Sequence, residues 1–192
     1  DLKVAHCDGA DCTGANTITV VAGQGGADVG EYNSLVIGID GRPAISYFNA
    51  TDGNLWLAKC GDPICAVGNT LNVVDDGAAG TVGRYNSMTI GADGLPVLAY
   101  RDNPTGGLKV ARCADAACVA LAGPPTFVDN AGTPDLQDTS ITIGADGLPI
   151  IAYHDAIAAT LRVAKCGDPG CTGGNAATIV DGAGGTGDHT SI

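Results

Sequence analysis

Ser87-Met-Thr-Ile-Gly-Ala-Asp-Gly-Leu-Pro-Val-Leu-Ala-Tyr100, followed by a polar loop, by Leu108-Lys-Val-Ala-Arg-Cys113 and by a short turn to Cys118, is the unit from which this chain is assembled. The same pattern returns on either side. Leu2, Leu55, Leu108 and Leu161 are spaced by 53 residues each time, and so are Cys7, Cys60, Cys113 and Cys166. An internal period outweighs a domain count taken from length, because repeats stack into one body. Residues 1–192 are therefore expected to form one domain or part of one, with repeats near 2–54, 55–107, 108–160 and a partial 161–192.

Each unit reads as four short strands, a to d. Strand a is Ser34 to Ile39, Ser87 to Ile90 and Ser140 to Ile143. It turns through Asp40-Gly41, Asp93-Gly94 or Asp146-Gly147, pairs suited to the positive φ of tight hairpins, into strand b at Ala44 to Phe48, Val97 to Tyr100 and Ile150 to Tyr153. Pro43 opens strand b, where a missing N–H is tolerated. Strand c is Leu2 to Cys7, Leu55 to Cys60, Leu108 to Cys113 and Leu161 to Cys166. Strand d is Asn16 to Val21, Leu71 to Val74, Thr126 to Val128 and Thr178 to Val180, rich in β-branched residues.

Four short antiparallel strands per unit, a period near 50 and no helical periodicity predict an all-β chain of β-propeller blades. A parallel β-helix would need shorter coils, and a sandwich would not hold a period of 53. The chain opens on a c–d hairpin and reaches strand a again at Ser191-Ile192. Three full blades plus a hairpin are fewer than the roughly four to eight that propellers use, which predicts part of a larger ring, with neighbouring chains as the alternative source of the remaining strands.

Composition points the same way. Of 21 acidic residues only Glu31 is a glutamate, while 30 residues are Gly, which favours turns and strands over helices. A net charge of −12 with 9 scattered cations argues against nucleic acid and against anionic membrane surfaces. No apolar run approaches the roughly 20 residues of a membrane-spanning helix, so direct membrane insertion is not expected.

The eight cysteines fall into four Cys-x-x-x-x-Cys pairs: Cys7 with Cys12, Cys60 with Cys65, Cys113 with Cys118, and Cys166 with Cys171. Turn formers such as Gly61-Asp-Pro-Ile64 separate the partners. Such a pair across the mouth of a tight hairpin brings Cα atoms to roughly 4.5–5.5 Å, a span that a disulfide fits. Metal or iron–sulfur ligation is the rival reading, but it needs convergent ligands, and these pairs belong to separate repeats without accompanying His. Four disulfides predict an oxidising compartment: secreted, cell-surface or periplasmic.

In a propeller the a–b and c–d turns share one face, and the b–c and d–a loops share the other. The first set is nearly identical between repeats and the second varies, which is where binding usually resides. Strand b ends in Tyr47-Phe-Asn49, Tyr100-Arg-Asp102 and Tyr153-His-Asp155; the d–a loops end in Glu31-Tyr-Asn33, Arg84-Tyr-Asn86, Gln137-Asp-Thr139 and Asp188-His-Thr190. Aromatic faces beside amides and carboxylates suit sugar hydroxyls. The candidate ligand-binding residues are Tyr32, Asn33, Phe48, Arg84, Tyr85, Asn86, Arg101, Asp102, His154, Asp155 and His189. Tyr47, Tyr100 and Tyr153 recur in every unit and are read as packing between blades, with the following Asp capping its loop.

No catalytic residue is assigned: Gly-x-Ser-x-Gly is absent, the cysteines are paired, and His6, His154 and His189 fall at non-equivalent places. No cofactor or metal is expected either. The Asp-Gly turns carry one carboxylate each where a calcium loop needs several, and Asp75, Asp76 and Asp129 are the residues that would join a carbonyl-rich calcium site. Trp56 takes the strand c position held elsewhere by Lys3, Lys109 and Arg162 and is read as covering a blade surface.

The full unit, Ser-x-x-Ile-Gly-x-Asp-Gly-x-Pro-x-Ile/Leu-x-Tyr-x-Asp and then Leu-x-Val-Ala-x-Cys, resembles the repeats of secreted or surface-exposed bacterial β-propeller proteins. It lacks the Gly-Gly pattern of kelch repeats, the Asp-box of sialidases and the Trp-Asp of WD40 repeats. The resemblance implies an extracellular scaffold that binds something. The leading expectation is a non-enzymatic recognition module for a glycan or an extracellular protein; the alternatives are a propeller polysaccharide hydrolase or lyase and a subunit of an extracellular filament or large assembly.

Overall fold

The structure, a computed structural model, describes residues 1–78, 80–130, 135–182 and 189–192. Three antiparallel sheets of four strands follow a two-stranded one, and no helix occurs among the described residues. The first sheet is the hairpin β1 (Leu2–His6) and β2 (Thr17–Ala22). The second contains β3 (Val29–Ile37), β4 (Pro43–Asn49), β5 (Asn54–Lys59) and β6 (Thr70–Asp75) in sequence order. Then come β7 (Val82–Ile90), β8 (Pro96–Asp102), β9 (Leu108–Arg112) and β10 (Thr126–Asp129), and finally β11 (Leu136–Ile143), β12 (Pro149–Asp155), β13 (Thr160–Lys165) and β14 (Ala176–Asp181). Each sheet is one blade of a β-propeller, and the first supplies strands c and d alone.

The cores lie between blades. Leu55, Leu57 and Val74 of one blade pack on Val82, Leu98 and Tyr100 of the next, and Val97, Leu108 and Val110 pack on Leu136, Ile151 and Tyr153 one step further. The repeated Ser has a backbone task. Ser34 Oγ accepts from Met88 N at 3.1 Å, Ser87 Oγ from Ile141 N at 3.3 Å and Ser140 Oγ from Ile192 N at 3.1 Å, so the first strand of each blade is tied to the next around the axis.

All four cysteine pairs are disulfides: Cys7 to Cys12, Cys60 to Cys65, Cys113 to Cys118 and Cys166 to Cys171, with Cα atoms 4.7, 4.8, 4.9 and 4.8 Å apart. Their placement differs from the expected one. They close the turn itself rather than facing positions across the hairpin mouth, since Lys59 already pairs with Thr70 and Lys165 with Ala176, leaving Cys65 and Cys171 inside the turn rather than on strand d. Cys65 and Cys171 are also buried, and Thr126 Oγ1 of the preceding blade donates to the Cys171 carbonyl at 3.2 Å, so this turn is docked on its neighbour. The extra residues wrap a carboxylate: Asp62 accepts from the amides of Ile64, Ala66 and Val67, and Asp168 from those of Gly170, Thr172 and Gly173. Such a ring of donors stabilises the anion, and these amides draw the Asp62 carboxyl below its usual range against a smaller opposing effect of burial.

The recurrent Tyr is buried at all three positions, and at two of them it is bonded across to the neighbouring blade. Tyr100 donates to Asp75 at 2.6 Å, and Lys109 donates to the same oxygen at 2.7 Å; Tyr153 and Arg162 both donate to Asp129 at 2.5 Å. Burial pushes the Asp75 carboxyl up, but the bonds from Lys109 and Tyr100 outweigh it and hold the group below its ordinary value. Burial, then the Asp75 charge, pushes Tyr100 well above 10.0. Asp75 and Asp129 are thus committed to side-chain cations of the next blade, and among the described residues no group of three or more His, Cys, Asp or Glu is placed to hold a metal ion. At the first interface the counterparts are Ala22 and Trp56, whose indole instead donates to Asp52 at 2.9 Å.

Candidate functional site

The ends of the first three d–a segments are strand, not loop. β3 and β7 start five residues before the repeated Ser and carry register shifts at Glu31 to Ser34 and Arg84 to Ser87; β11 shifts between Gln137 and Ser140. Each bulge places one residue in the left-handed region, Tyr32 at φ 50°, Tyr85 at 51° and Asp138 at 49°, and His189, at the equivalent repeat position outside any strand, has φ 58°. A non-glycine residue there costs roughly 1–2 kcal/mol, so its recurrence at equivalent positions reflects something the fold requires.

What it requires is visible in the bonds around the axis. The residue after each bulge reaches back to the bulge carbonyl of the preceding blade: Asn86 Nδ2 donates to Tyr32 O at 2.6 Å, the Thr139 hydroxyl donates to Tyr85 O, and the Thr190 hydroxyl donates to Asp138 O. Asn86 also accepts from Ser46 Oγ at 2.5 Å. The backbone is thereby fixed while the bulge side chain is left over. Tyr32, Asn33, Tyr85, Asn86, Asp138, Thr139, His189 and Thr190 line one open cavity of about 290 Å³ where the first strands converge. Tyr32 and Tyr85 lie with ring centroids 4.7 Å apart at 51°. Asp138 is the one carboxylate among these lining residues, and it accepts from the His189 amide at 3.1 Å. Burial first, and then the neighbouring Tyr32, raise the Tyr85 phenol above its ordinary value.

Five of the candidates therefore meet: Tyr32, Asn33, Tyr85, Asn86 and His189. The others stand apart from the cavity. Phe48, 1% exposed, sits below Tyr32 with the Arg84 guanidinium 5.2 Å over its ring. Arg101 forms an ion pair with Asp135 and donates to Leu136 O at 3.4 Å. Asp102 accepts from Thr105 Oγ1 at 2.7 Å and Asp155 from Ala158 N at 3.1 Å, so both cap their loops, and each also lies 3.7 Å from the strand c cation. His154 is buried. Asp188 lies outside the described residues. Asp138, Thr139 and Thr190 were not among the candidates although they line the cavity; the signal was their register, since Asp138 occupies the place of Tyr85 and His189 in the repeat, and Thr139 and Thr190 the place of Asn86.

The opposite face is uniform. Lys59, Arg112 and Lys165 each bridge from the end of strand c to the a–b turn, on Asp40, Asp93 and Asp146 at 2.8, 2.5 and 2.7 Å.

A β-propeller of four-stranded blades with a polar, aromatic mouth at its axis is the class that these features define. No protein family and no curated protein matches the chain in sequence. Solved structures do. A family-43 glycoside hydrolase described as a β-1,3-galactosidase superposes with a TM-score of 0.59 at 9% identity, covering 79% of this chain and 32% of its own. A protein of unknown function from Dyadobacter fermentans superposes at 0.55 and 12% identity, covering 72% and 48%, and a thermostable family-43 glycoside hydrolase at 0.53 and 13%, covering 76% and 53%. This chain thus spans between about a third and about a half of those chains, and at these identities the likeness shows the propeller fold alone.

Proposed function

We propose that the chain is a non-enzymatic extracellular recognition module that takes a glycan at its axial mouth. One observation carries the reading: the four left-handed positions that converge there, equivalent in the repeat, hold Tyr, Tyr, Asp and His. Aromatic faces supply stacking for a sugar ring, and Asp138 and the Asn33 amide supply bonds for its hydroxyls. The four disulfides fit an oxidising compartment and support secretion or surface display.

A second reading, a propeller polysaccharide hydrolase, is favoured by the family-43 neighbours. Glycoside cleavage commonly uses two carboxyl groups roughly 5–9.5 Å apart, whereas the described lining offers Asp138 alone. Screening the chain on a glycan array and then assaying each hit for turnover tests both. Binding that Tyr85→Ala abolishes, without cleavage, is the expected result. Release of reducing ends that stops with Asp138→Asn would replace recognition by hydrolysis, and binding indifferent to Tyr85 and Asp138 would move the site elsewhere.

A further inference from the structure

We propose that the glycan taken at the axial mouth carries free primary amines, so that the site selects a cationic amino sugar over a neutral or an acidic one. The inference rests on the reading of the mouth as a glycan site and names the chemistry of its ligand. The amide and hydroxyl donors of the lining are already committed. Asn33 Nδ2 donates to Gly30 O at 2.9 Å, Asn86 Nδ2 to Tyr32 O at 2.6 Å and Gly83 O at 3.0 Å, and the Thr139 and Thr190 hydroxyls to the Tyr85 and Asp138 carbonyls. These bonds fix the strands and the joints between blades, so a ligand cannot borrow them without loosening the fold.

Acceptors are what remain. Among the described residues the Asp138 side chain accepts from the His189 amide alone, at 3.1 Å, and Asn33 Oδ1 accepts from none. The His189 imidazole, 94% exposed, lies 4.0 Å from the same carboxylate oxygen, beyond hydrogen-bond reach. Among the described residues no Lys or Arg lines the cavity: Arg101 is paired with Asp135, and the Arg84 guanidinium lies over Phe48. A carboxylate without a cation, beside two phenol rings 4.7 Å apart, fits a ligand ammonium, whose three N–H donors meet acceptors while the ring faces of Tyr32 and Tyr85 attract its charge. An acidic sugar would meet Asp138 as a like charge, and a metal ion would need more oxygen ligands than one carboxylate offers. The net charge of −12 draws cationic ligands toward the surface.

The test is calorimetric titration, at about pH 7, with tetramers of β-1,4-linked glucosamine, N-acetylglucosamine and glucose, which differ only in the group at carbon 2. The glucosamine tetramer should bind about tenfold or more tighter than either neutral tetramer, and Asp138→Asn should bring that ratio to about one. The variant removes a single charge from a net −12, so a diffuse attraction would leave the ratio nearly unchanged. A lysine tetramer with blocked ends, carrying as many ammonium groups and no sugar ring, should bind about tenfold or more weakly than the glucosamine tetramer. Failure of the glucosamine tetramer to bind, an amine preference that survives Asp138→Asn, or lysine binding as tight as glucosamine binding would each overturn the inference. Equal or tighter binding of a neutral tetramer would overturn it and leave the mouth a site for neutral sugar, whereas glucosamine binding indifferent to Tyr85→Ala would overturn the glycan reading of the mouth and this inference with it.

Discussion

Removing the Asp75 carboxylate should damage the chain more than removing any of its partners. Asp75 accepts from Tyr100 at 2.6 Å and Lys109 at 2.7 Å, and the Lys109 side chain is only 13% exposed. Asp75→Ala strands an ammonium group whose next carboxylate, Asp102, is 3.7 Å away, together with a buried phenol. Breaking a buried pair from one side costs about 3–5 kcal/mol, whereas Tyr100→Phe gives up one bond to a charged group and should cost about 1.5–3 kcal/mol. The double variant Asp75→Ala/Lys109→Met removes both charges and should recover most of the loss, ending within about 2 kcal/mol of the parent, since a buried pair replaced by apolar groups is often neutral. The chain already contains such an exchange: at the first interface Ala22 and Trp56 stand in place of the Asp and the cation. Urea unfolding of the parent, Asp75→Ala, Lys109→Met and the double variant measures the cycle. Asp75→Ala within about 1 kcal/mol of the parent, or a double variant as unstable as the single losses added together, would refute the view that this charge network is held by mutual neutralisation.

Thr139→Val leaves the Tyr85 carbonyl without its donor and should cost about 1–3 kcal/mol in the same assay, while Tyr85→Ala should cost less and show its effect in glycan binding. Removing one disulfide releases a loop with a sequence separation of 5, worth about 2 kcal/mol from loop-closure entropy, and the buried Cys60–Cys65 and Cys166–Cys171 pairs should lose more than the Cys7–Cys12 pair when each is changed to Ser. Stability should fall at both extremes of pH. Asp75, Asp93 and Asp146 sit below the usual carboxylate value, so the unfolded chain takes up protons first and stability drops as pH falls below about 4. The phenols are shifted the other way, Tyr47 to about 12 mainly by burial, so the unfolded chain loses its tyrosine protons first and stability drops again as pH rises from about 10. Thermal melts across pH 2–12 trace both limbs, and a flat acid limb would contradict the carboxylate assignment.

Strand count, order and the disulfides were legible because they rest on spacing. A 53-residue period with Asp-Gly turns and Cys-x-x-x-x-Cys pairs leaves few ways to place four antiparallel strands. Spacing could not show that Cys65 and Cys171 lie within the turn, because that depends on the Asp62 and Asp168 carboxylates gathering the turn amides around themselves. The packing of Tyr100 and Tyr153 was legible from recurrence, and the partner was not, because Asp75 and Asp129 belong to the blade before and only the three-dimensional stack joins them. The bulges were illegible for a different reason. Glu31-Tyr-Asn33 and Gln137-Asp-Thr139 share no side-chain chemistry, since what the position demands is a backbone conformation and a carbonyl. A reading by residue type therefore picked out Phe48 and His154, which are buried, and passed over Asp138.

That arrangement frees the side chains at the axis from the work of joining blades. The bond that joins neighbouring blades uses the bulge carbonyl as acceptor and the following Asn or Thr as donor, so it is indifferent to the side chain on the bulge itself. Strain of roughly 1–2 kcal/mol at each left-handed residue is offset by the cross-blade bond that it aims. Tyr32, Tyr85, Asp138 and His189 can then differ at one mouth, where a shared left-handed conformation delivers four separate choices of side chain. The uniform turns of the opposite face have no such freedom, because there the side chains themselves, Lys59 on Asp40, Arg112 on Asp93 and Lys165 on Asp146, make the link. Variation among the repeats falls on the face where the backbone does the joining, and for that reason the proposed glycan site is assigned to the axial mouth rather than to the disulfide face.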